Sequence, residues 1–293
     1  MFAYSVEEWL LLFYIYCFLG WCFESTYVSL RTGHWVNRGF MRAPFLPLYG
    51  SGALLLFVVS MPFAGNIVLT YIAGGIAATL LELFTGMTME KIFKIKYWDY
   101  SRQRFNFKGH ICLSSSIAWG FMALLVTKVI HAPIAAFVIS IPEVVKDAAV
   151  LVLTITLTWD FALSFRAALD LRDLLIRLEE AKGELEELRE EIEDRLEHIQ
   201  AELTANFEVR ISKLHDWIEE SNLDTLEEIK EDYKQWRKRF YENQQRRIQA
   251  LTIKDKFKLH HLLDNPSMSS ERFRDAIEEL KEHIREKRVE DKK

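Results

Sequence analysis

Residues 66–81 read NIVLTYIAGGIAATLL, an uncharged stretch of 16 residues that ends at Glu82. A helix needs about 20 mostly apolar residues to cross the hydrocarbon core of a bilayer. The stretch with its flanks therefore predicts a membrane span, and four other runs read alike. Trp9 to Phe23 is uncharged and continues past Glu24 to Leu30. Ala43 to Phe63 holds 21 residues without a charge, and Ile111 to Thr127 is uncharged. Val144 to Phe165 is apolar except for Lys146, Asp147 and Asp160. About five spans follow. A sixth stretch, Ala132 to Pro142, has 11 residues and a proline at each side. It is too short to span and reads as re-entrant or interfacial. Glu7 and Glu8 precede the first span without any Lys or Arg, the reverse of the basic start of a cleaved signal peptide.

Composition divides the 293 residues in two. Residues 1–165 carry 11 Lys/Arg and 9 Asp/Glu, a net charge of +2, with 11 of the 12 glycines and 16 of the 20 phenylalanines. Residues 166–293 carry 26 Lys/Arg and 33 Asp/Glu, net −7. A single soluble globule is excluded. The three cysteines, Cys17, Cys22 and Cys112, lie in apolar runs without CxxC spacing. They read as buried thiols rather than as a disulfide scaffold. The expected fold is all-α: a polytopic membrane helix bundle over 1–165 with a cytoplasmic helical tail over 166–293.

Orientation follows from the basic residues of the short loops. The loop after span 1 has Arg31, Arg38 and Arg42, and the loop after span 3 has Lys91, Lys94, Lys96, Arg102, Arg104 and Lys108. The N-terminal flank and the Ala64–Asn66 turn have none. The alternation predicts a multi-pass protein of the cell membrane with its N-terminus outside and its tail in the cytoplasm.

The tail opens on heptads. Leu171, Leu178, Leu185, Ile192 and Ile199 lie seven apart, and Leu174, Ala181 and Leu188 fill the second seam position until Arg195. This is a coiled-coil pattern over about 168–220. Asp224 with Glu227 reads as a capping box that starts a second helix, about 225–263, with a seam at Leu226, Ile229, Tyr233, Trp236 and Phe240. Asn265-Pro266 ends it, and Ser269 can cap a last helix over about 269–288. Residues 166–233 are net −13 and residues 234–258 net +7. The two stretches can attract each other as a hairpin, or the basic one can lie on anionic lipid. An acidic tail opposes nucleic acid, and no nucleic-acid partner is expected.

Ionisable groups inside spans are costly unless paired, hydrated or protonated, and so mark candidate sites. Glu24, Glu82 and Asp160 are such groups, each placed toward the cytoplasmic end of its span. The loops of that side supply Arg38, Arg42, Arg102 and Arg104 as counter-ions, with Asp99 beside them. Two readings stand side by side: a substrate, proton or headgroup site, or acid–arginine ties that hold the bundle together. His110 beside span 4 reads as an interfacial residue. The other histidines, His260-His261 included, show no metal spacing, and neither a metal nor a cofactor is expected.

The loops also carry a resemblance. It rests on Gly20-Trp21 with Glu24, Arg38-Gly39-Phe40 followed by Pro44, Pro47, Tyr49 and Gly50, then Leu81-Glu82. Trp98-Asp99-Tyr100-Ser101 with Asn106 and Gly109-His110-Ile111-Cys112 completes it. In this order they resemble the bacterial family of ABC-transporter permeases of the CmpB type, over roughly residues 8–165. The resemblance implies a membrane-spanning transport component and leaves the tail as an appended module.

No GxxxxGK[ST] occurs, so no loop of this chain cradles ATP phosphates, and an ATPase would be a separate subunit. HExxH, GxSxG and CxxC are absent as well, and no enzyme is expected. The leading expectation is a permease-like component with lipid around it, a separate ATPase and a homo-oligomeric or coiled-coil partner. The alternative is a membrane-anchored scaffold that recruits or dimerises partners through its coiled coil. A lipid-acting enzyme using the inner carboxylates and arginines ranks last.

Overall fold

The computed structural model of the chain describes residues 4–209, 231, 234, 235, 238, 260–278 and 280–282. Ser5 starts helix α1 (Val6–Thr32). Its hydroxyl accepts from the Glu8 amide, while the Glu8 carboxylate accepts from the Ser5 amide, the reciprocal arrangement of a capping box. Gly33, at φ 72°, ends the helix in the left-handed region that favours glycine. Pro47 opens α2 (Pro47–Ser60) at the first turn, where its missing N–H removes no helical bond. A 3-10 turn at Met61–Phe63 follows. Asn66 caps α3 (Ile67–Phe93) through the Leu69 amide. Between α3 and the next helix, β1 (Asn106–Phe107) pairs antiparallel with β2 (Ile111–Cys112).

Cys112 caps α4 (Leu113–Leu125), which passes through a π-helical turn at Val126–Ile130 into α5 (His131–Ser140). The stretch 132–142, expected to be re-entrant or interfacial, is thus mostly the last part of one apolar helix, Leu113–Ser140. Pro133 does not break it, because the π-turn has already altered the hydrogen-bonding register before it. Pro142 then separates α5 from α6 (Glu143–Val209). A short helix, α7 (His260–Asp264), and helical turns at 274–278 and 280–282 complete the described chain.

Four helices are long and apolar enough to cross a membrane: Val6–Thr32, Ile67–Phe93, Leu113–Ser140 and Glu143–Glu180. Pro47–Phe63 is apolar but shorter. The apolar runs of the sequence therefore become helices, and four of those among the described residues are candidate spans. On α3, Ile72, Ile76, Leu80 and Phe84 are all well exposed. They recur every four residues and form one apolar stripe, the surface that a lipid-facing helix presents.

Close backbone approach joins the helices. A methyl group on Gly75 of α3 would press on the Gly120 backbone of α4, and one on Gly20 of α1 would overlap the Tyr49 side chain of α2. Small residues let apolar helices pack where hydrophobic burial alone gives no drive. Around these contacts Leu12, Leu56, Ala123 and Val138 are fully enclosed.

The contacts group the chain into two compact units. One holds Met1–Asp173 with Phe257–Arg285, and the other holds Leu174–Lys256 with Glu286–Lys293. Composition placed the division near residue 166 and left the whole tail on one side. The contacts instead assign the segment from Phe257 to the membrane unit. In the second unit α6 continues to Val209, with an exposed Glu191–Arg195 pair at 2.9 Å. The expected capping box at Asp224 and Glu227, the seam from Leu226 to Phe240 and most of the basic stretch lie outside the described residues. So do the side chains of Leu185, Leu188 and Ile199.

Candidate functional site

Glu24 and Glu82 are brought to the same region by three helices. Glu24 on α1 accepts the hydroxyl of Tyr49 on α2 at 2.5 Å. Glu82 on α3 accepts from Trp119 Nε1 at 2.9 Å, from the Tyr100 hydroxyl at 3.1 Å and from the Ser115 hydroxyl at 3.3 Å. The rings of Tyr49 and Trp119 lie 5.8 Å apart and join the two carboxylate clusters. Three donors make a buried carboxylate tolerable away from water. Glu82 sits deeper than its place near the end of an uncharged run suggests, because α3 continues to Phe93 instead of stopping near Leu81.

Of the expected arginines, Arg38 approaches a span carboxylate. Its Nε lies 3.9 Å from Glu24 Oε2, too far for a hydrogen bond. Its other nitrogens are held elsewhere: Nη1 donates to Asn265 Oδ1 at 2.5 Å, and Nη2 to the Tyr97 carbonyl at 3.3 Å and the Ser267 hydroxyl at 3.4 Å. Burial pulls the Arg38 guanidinium below its ordinary value, and the Glu24 carboxylate opposes that pull. Asp160 stands apart from both glutamates' hydrogen bonds. Its Oδ2 accepts the backbone amides of Arg42 and Ala43, each at 3.0 Å, and so ties the loop before α2 to α6. The Arg42 contribution to that tie is its main chain. Arg102 and Arg104 are exposed on the turn before β1. Among the described residues neither forms an ion pair with the three carboxylates.

Asp99 is turned to a different task. Its carboxylate accepts the Ser101 amide at 2.8 Å and the Ser269 hydroxyl at 2.6 Å. Partial burial alone would raise its pKa, but the bonds from Ser101 and Ser269 and the charge of Lys96 outweigh it and hold Asp99 below the usual carboxylate range. His110, expected at the interface, is buried and lies 2.9 Å from Glu90.

The larger omission of the sequence reading is the C-terminal segment. Lys96 and Ser269 exchange backbone hydrogen bonds at 2.8 and 3.0 Å. Asn265 Nδ2 donates to the Gly39 and His261 carbonyls at 3.0 and 2.9 Å. His261 Nε2 lies 2.8 Å from the Ser164 carbonyl, which can only accept, so the other ring nitrogen is left to accept from the Tyr97 hydroxyl at 3.3 Å. Asn265-Pro266 reads in sequence only as a helix stop, and α7 does end there. Ser270, not Ser269, accepts the Phe273 amide before the last helical turns. Ser269 is already engaged with Asp99 and the Lys96 backbone. The one available signal was the spacing of Phe273, Ile277 and Leu280, a helical face whose members are all buried.

A cavity of about 380 Å³ opens between these elements, within the ordinary ~300–1,000 Å³ range of small-molecule sites. Its walls are mainly apolar and aromatic, with Phe40, Phe161 and Trp98 among them, and Glu24, Arg38, Tyr49 and Asn265 supply polar groups. A second, smaller apolar cavity of about 160 Å³ is lined by residues that include Trp119 and Tyr16. Tyr49 borders both.

The other end of the bundle carries a second polar cluster. Lys146 on α6 lies 2.8 Å from both Glu8 and Glu143, and its side chain is 2% exposed. His131 holds the Tyr4 hydroxyl at Nε2 and the Tyr16 hydroxyl at Nδ1, at 3.1 and 2.9 Å. In sequence Lys146 stands out only as a charge within the apolar run Val144–Phe165, and His131 is one of the histidines without metal spacing. Among the described residues no group of three or more His, Cys, Asp or Glu is arranged to hold a metal ion.

A family model described as putative ABC-transporter type IV matches residues 11–165. That range contains every residue that lines the two cavities except Asn265, and it stops before the docked C-terminal segment. Neither the curated proteins nor the solved structures contain a match.

Proposed function

Because the chain belongs to the family described as putative ABC-transporter type IV, we propose that it is the permease-like membrane component of a transport system whose ATPase is a separate chain. One observation carries this reading. Residues of the matched range, together with Asn265, line a cavity of about 380 Å³, and the hydrogen-bonded pair Glu24 and Tyr49, from different helices, is part of that lining. Purely structural ties would pack such groups without leaving space between them. Tyr49 also borders the second cavity, and in this reading it is the partition between the two. In this reading the chain itself catalyses no reaction. The loops after α1 and α3 face the cytoplasm, and they form the surface that receives the ATPase. A few spans per chain favour more than one copy around the pathway.

The test is purification of the full chain from its native membrane in mild detergent. An ATP-hydrolysing subunit that co-purifies, and whose turnover changes when Tyr49→Ala alters the partition, supports the reading. A chain that purifies without any ATPase, and raises the activity of none encoded beside it, counts against it.

The scaffold reading keeps one specific support: α6 runs as a helix to Val209, far beyond its apolar part. Replacement of residues 174–256 by a flexible linker, which keeps the segment that carries Asn265, separates the two. A transport component loses regulation or assembly but keeps its cavity, whereas a scaffold loses its whole activity.

A further inference from the structure

We propose that the larger cavity takes a protonated organic amine with an aromatic or aliphatic body. The inference rests on the transport reading for its biological use, but its chemistry comes from the cavity alone. Glu24 offers two carboxylate oxygens. Oε1 receives the Tyr49 hydroxyl, whereas Oε2 has only Arg38 Nε at 3.9 Å and accepts no hydrogen bond among the described residues. The guanidinium, by contrast, is occupied: Asn265, the Tyr97 carbonyl and Ser267 take its terminal nitrogens. The cavity therefore offers a negatively charged acceptor, while the terminal nitrogens of the positive group are already committed to the protein. An anionic ligand would find only the Nε side of Arg38 without a hydrogen bond, 3.9 Å from the Glu24 carboxylate, which repels it. A ligand N–H⁺ need only point at Oε2.

The walls select in the same direction. Phe40, Phe161 and Phe165 line the cavity together with Tyr97 and Trp98. Their faces carry the negative part of the ring quadrupole and attract a desolvated ammonium, while their bulk favours an apolar body behind it. A bare metal cation would leave these rings unused, and Glu24 is the one carboxylate among the lining residues. A neutral apolar molecule would leave Oε2 unpaired in a low-dielectric site, which is costly.

The experiment is equilibrium dialysis of the detergent-solubilised full chain at pH 7 with three probes of similar size: 2-phenylethylammonium, neutral 2-phenylethanol and anionic 3-phenylpropionate. The expected result is at least about tenfold tighter binding of the ammonium than of either other probe, the scale of one desolvated cation–aromatic contact. Glu24→Gln should abolish that preference while leaving binding of the alcohol in place. Equal binding of the three probes, preference for the anion, an undiminished preference in Glu24→Gln or no ammonium binding at all overturns the proposal. If Glu24→Gln does not fold, the selectivity of the unaltered chain decides alone. None of these outcomes touches the ATPase partnership, which is read in a separate purification, so the two inferences fail independently.

Discussion

Asn265 and Arg38 are 227 positions apart in sequence, and their side chains meet at 2.5 Å, Arg38 Nη1 donating to Asn265 Oδ1. Asn265 also donates to the carbonyls of Gly39 and His261, so all of its polar capacity faces the loop after α1 or its own helix. A guanidinium that borders the cavity is thereby held by a residue outside the family-matched range.

Asn265→Ala removes the acceptor of a buried guanidinium donor and leaves the Gly39 carbonyl without this partner. A loss of about 1–3 kcal/mol in the docking of the segment is expected. Limited proteolysis of the detergent-solubilised chain checks it: cleavage between residues 257 and 285 should accelerate, while the membrane helices stay intact. Unchanged cleavage would show that Phe273, Ile277 and Leu280 hold the segment without the polar latch.

Docking should also weaken in acid. Asp99 is held below the usual carboxylate range, so its contribution is complete above its unfolded value, about 3.9. That contribution is lost as pH falls through the lower folded value. Ser269→Ala deletes the hydroxyl that Asp99 receives. The difference in melting temperature between this variant and the unaltered chain should be full at pH 7 and begin to narrow only below about pH 4. A difference that does not narrow with falling pH would show that the Ser269 hydroxyl stabilises the segment independently of the Asp99 charge.

At the opposite end, Lys146→Met alone leaves Glu8 with its Ser5 cap but without its cation. Thermal unfolding should occur earlier, and Lys146→Met combined with Glu8→Gln should recover much of the loss, because the uncompensated charge is then gone. Equal melting of single and double variants would show that the pair contributes no coupling.

Gly120→Leu tests the α3–α4 contact. A side chain there runs into the Tyr71 ring, and overpacking of this kind costs about 1–3 kcal/mol. The variant should melt earlier and yield less folded protein in detergent, whereas Gly183→Leu, which meets no neighbouring atom, should not.

The charge alternation of the loops predicts sidedness. Cysteines introduced at Ala64 and Arg102 should react differently with an impermeant thiol reagent added to intact cells, Ala64→Cys promptly and Arg102→Cys after permeabilisation. The reverse pattern would invert the orientation and place the loops that bear Arg38 and Arg102 outside.

Local chemistry made most of the elements legible. Hydropathy over about 20 residues reports burial in lipid directly, so the apolar runs around Asn66–Leu81 and Val144–Phe165 are visible as helices without any partner. The loop prolines and glycines mark where α2 begins and α1 ends for the same reason: Pro47 and Gly33 restrict or release their own backbones. The candidate carboxylates were visible too, because Glu24, Glu82 and Asp160 stand out against uncharged neighbours. Their partners were not. Glu24 meets Tyr49 and Arg38, Glu82 meets Tyr100, Ser115 and Trp119, and Asp160 meets the main chain of Arg42 and Ala43. A loop arginine resembles any other in sequence; only the path of the chain selects Arg38 for the cavity and leaves Arg102 and Arg104 on the surface. The same holds for Lys146 with Glu8 and for Asn265 with Arg38, pairs separated by 138 and 227 positions. Sequence fixes what each residue can donate, accept or bury, whereas a hydrogen bond depends on a few ångströms of separation, and that distance is set only when the helices pack.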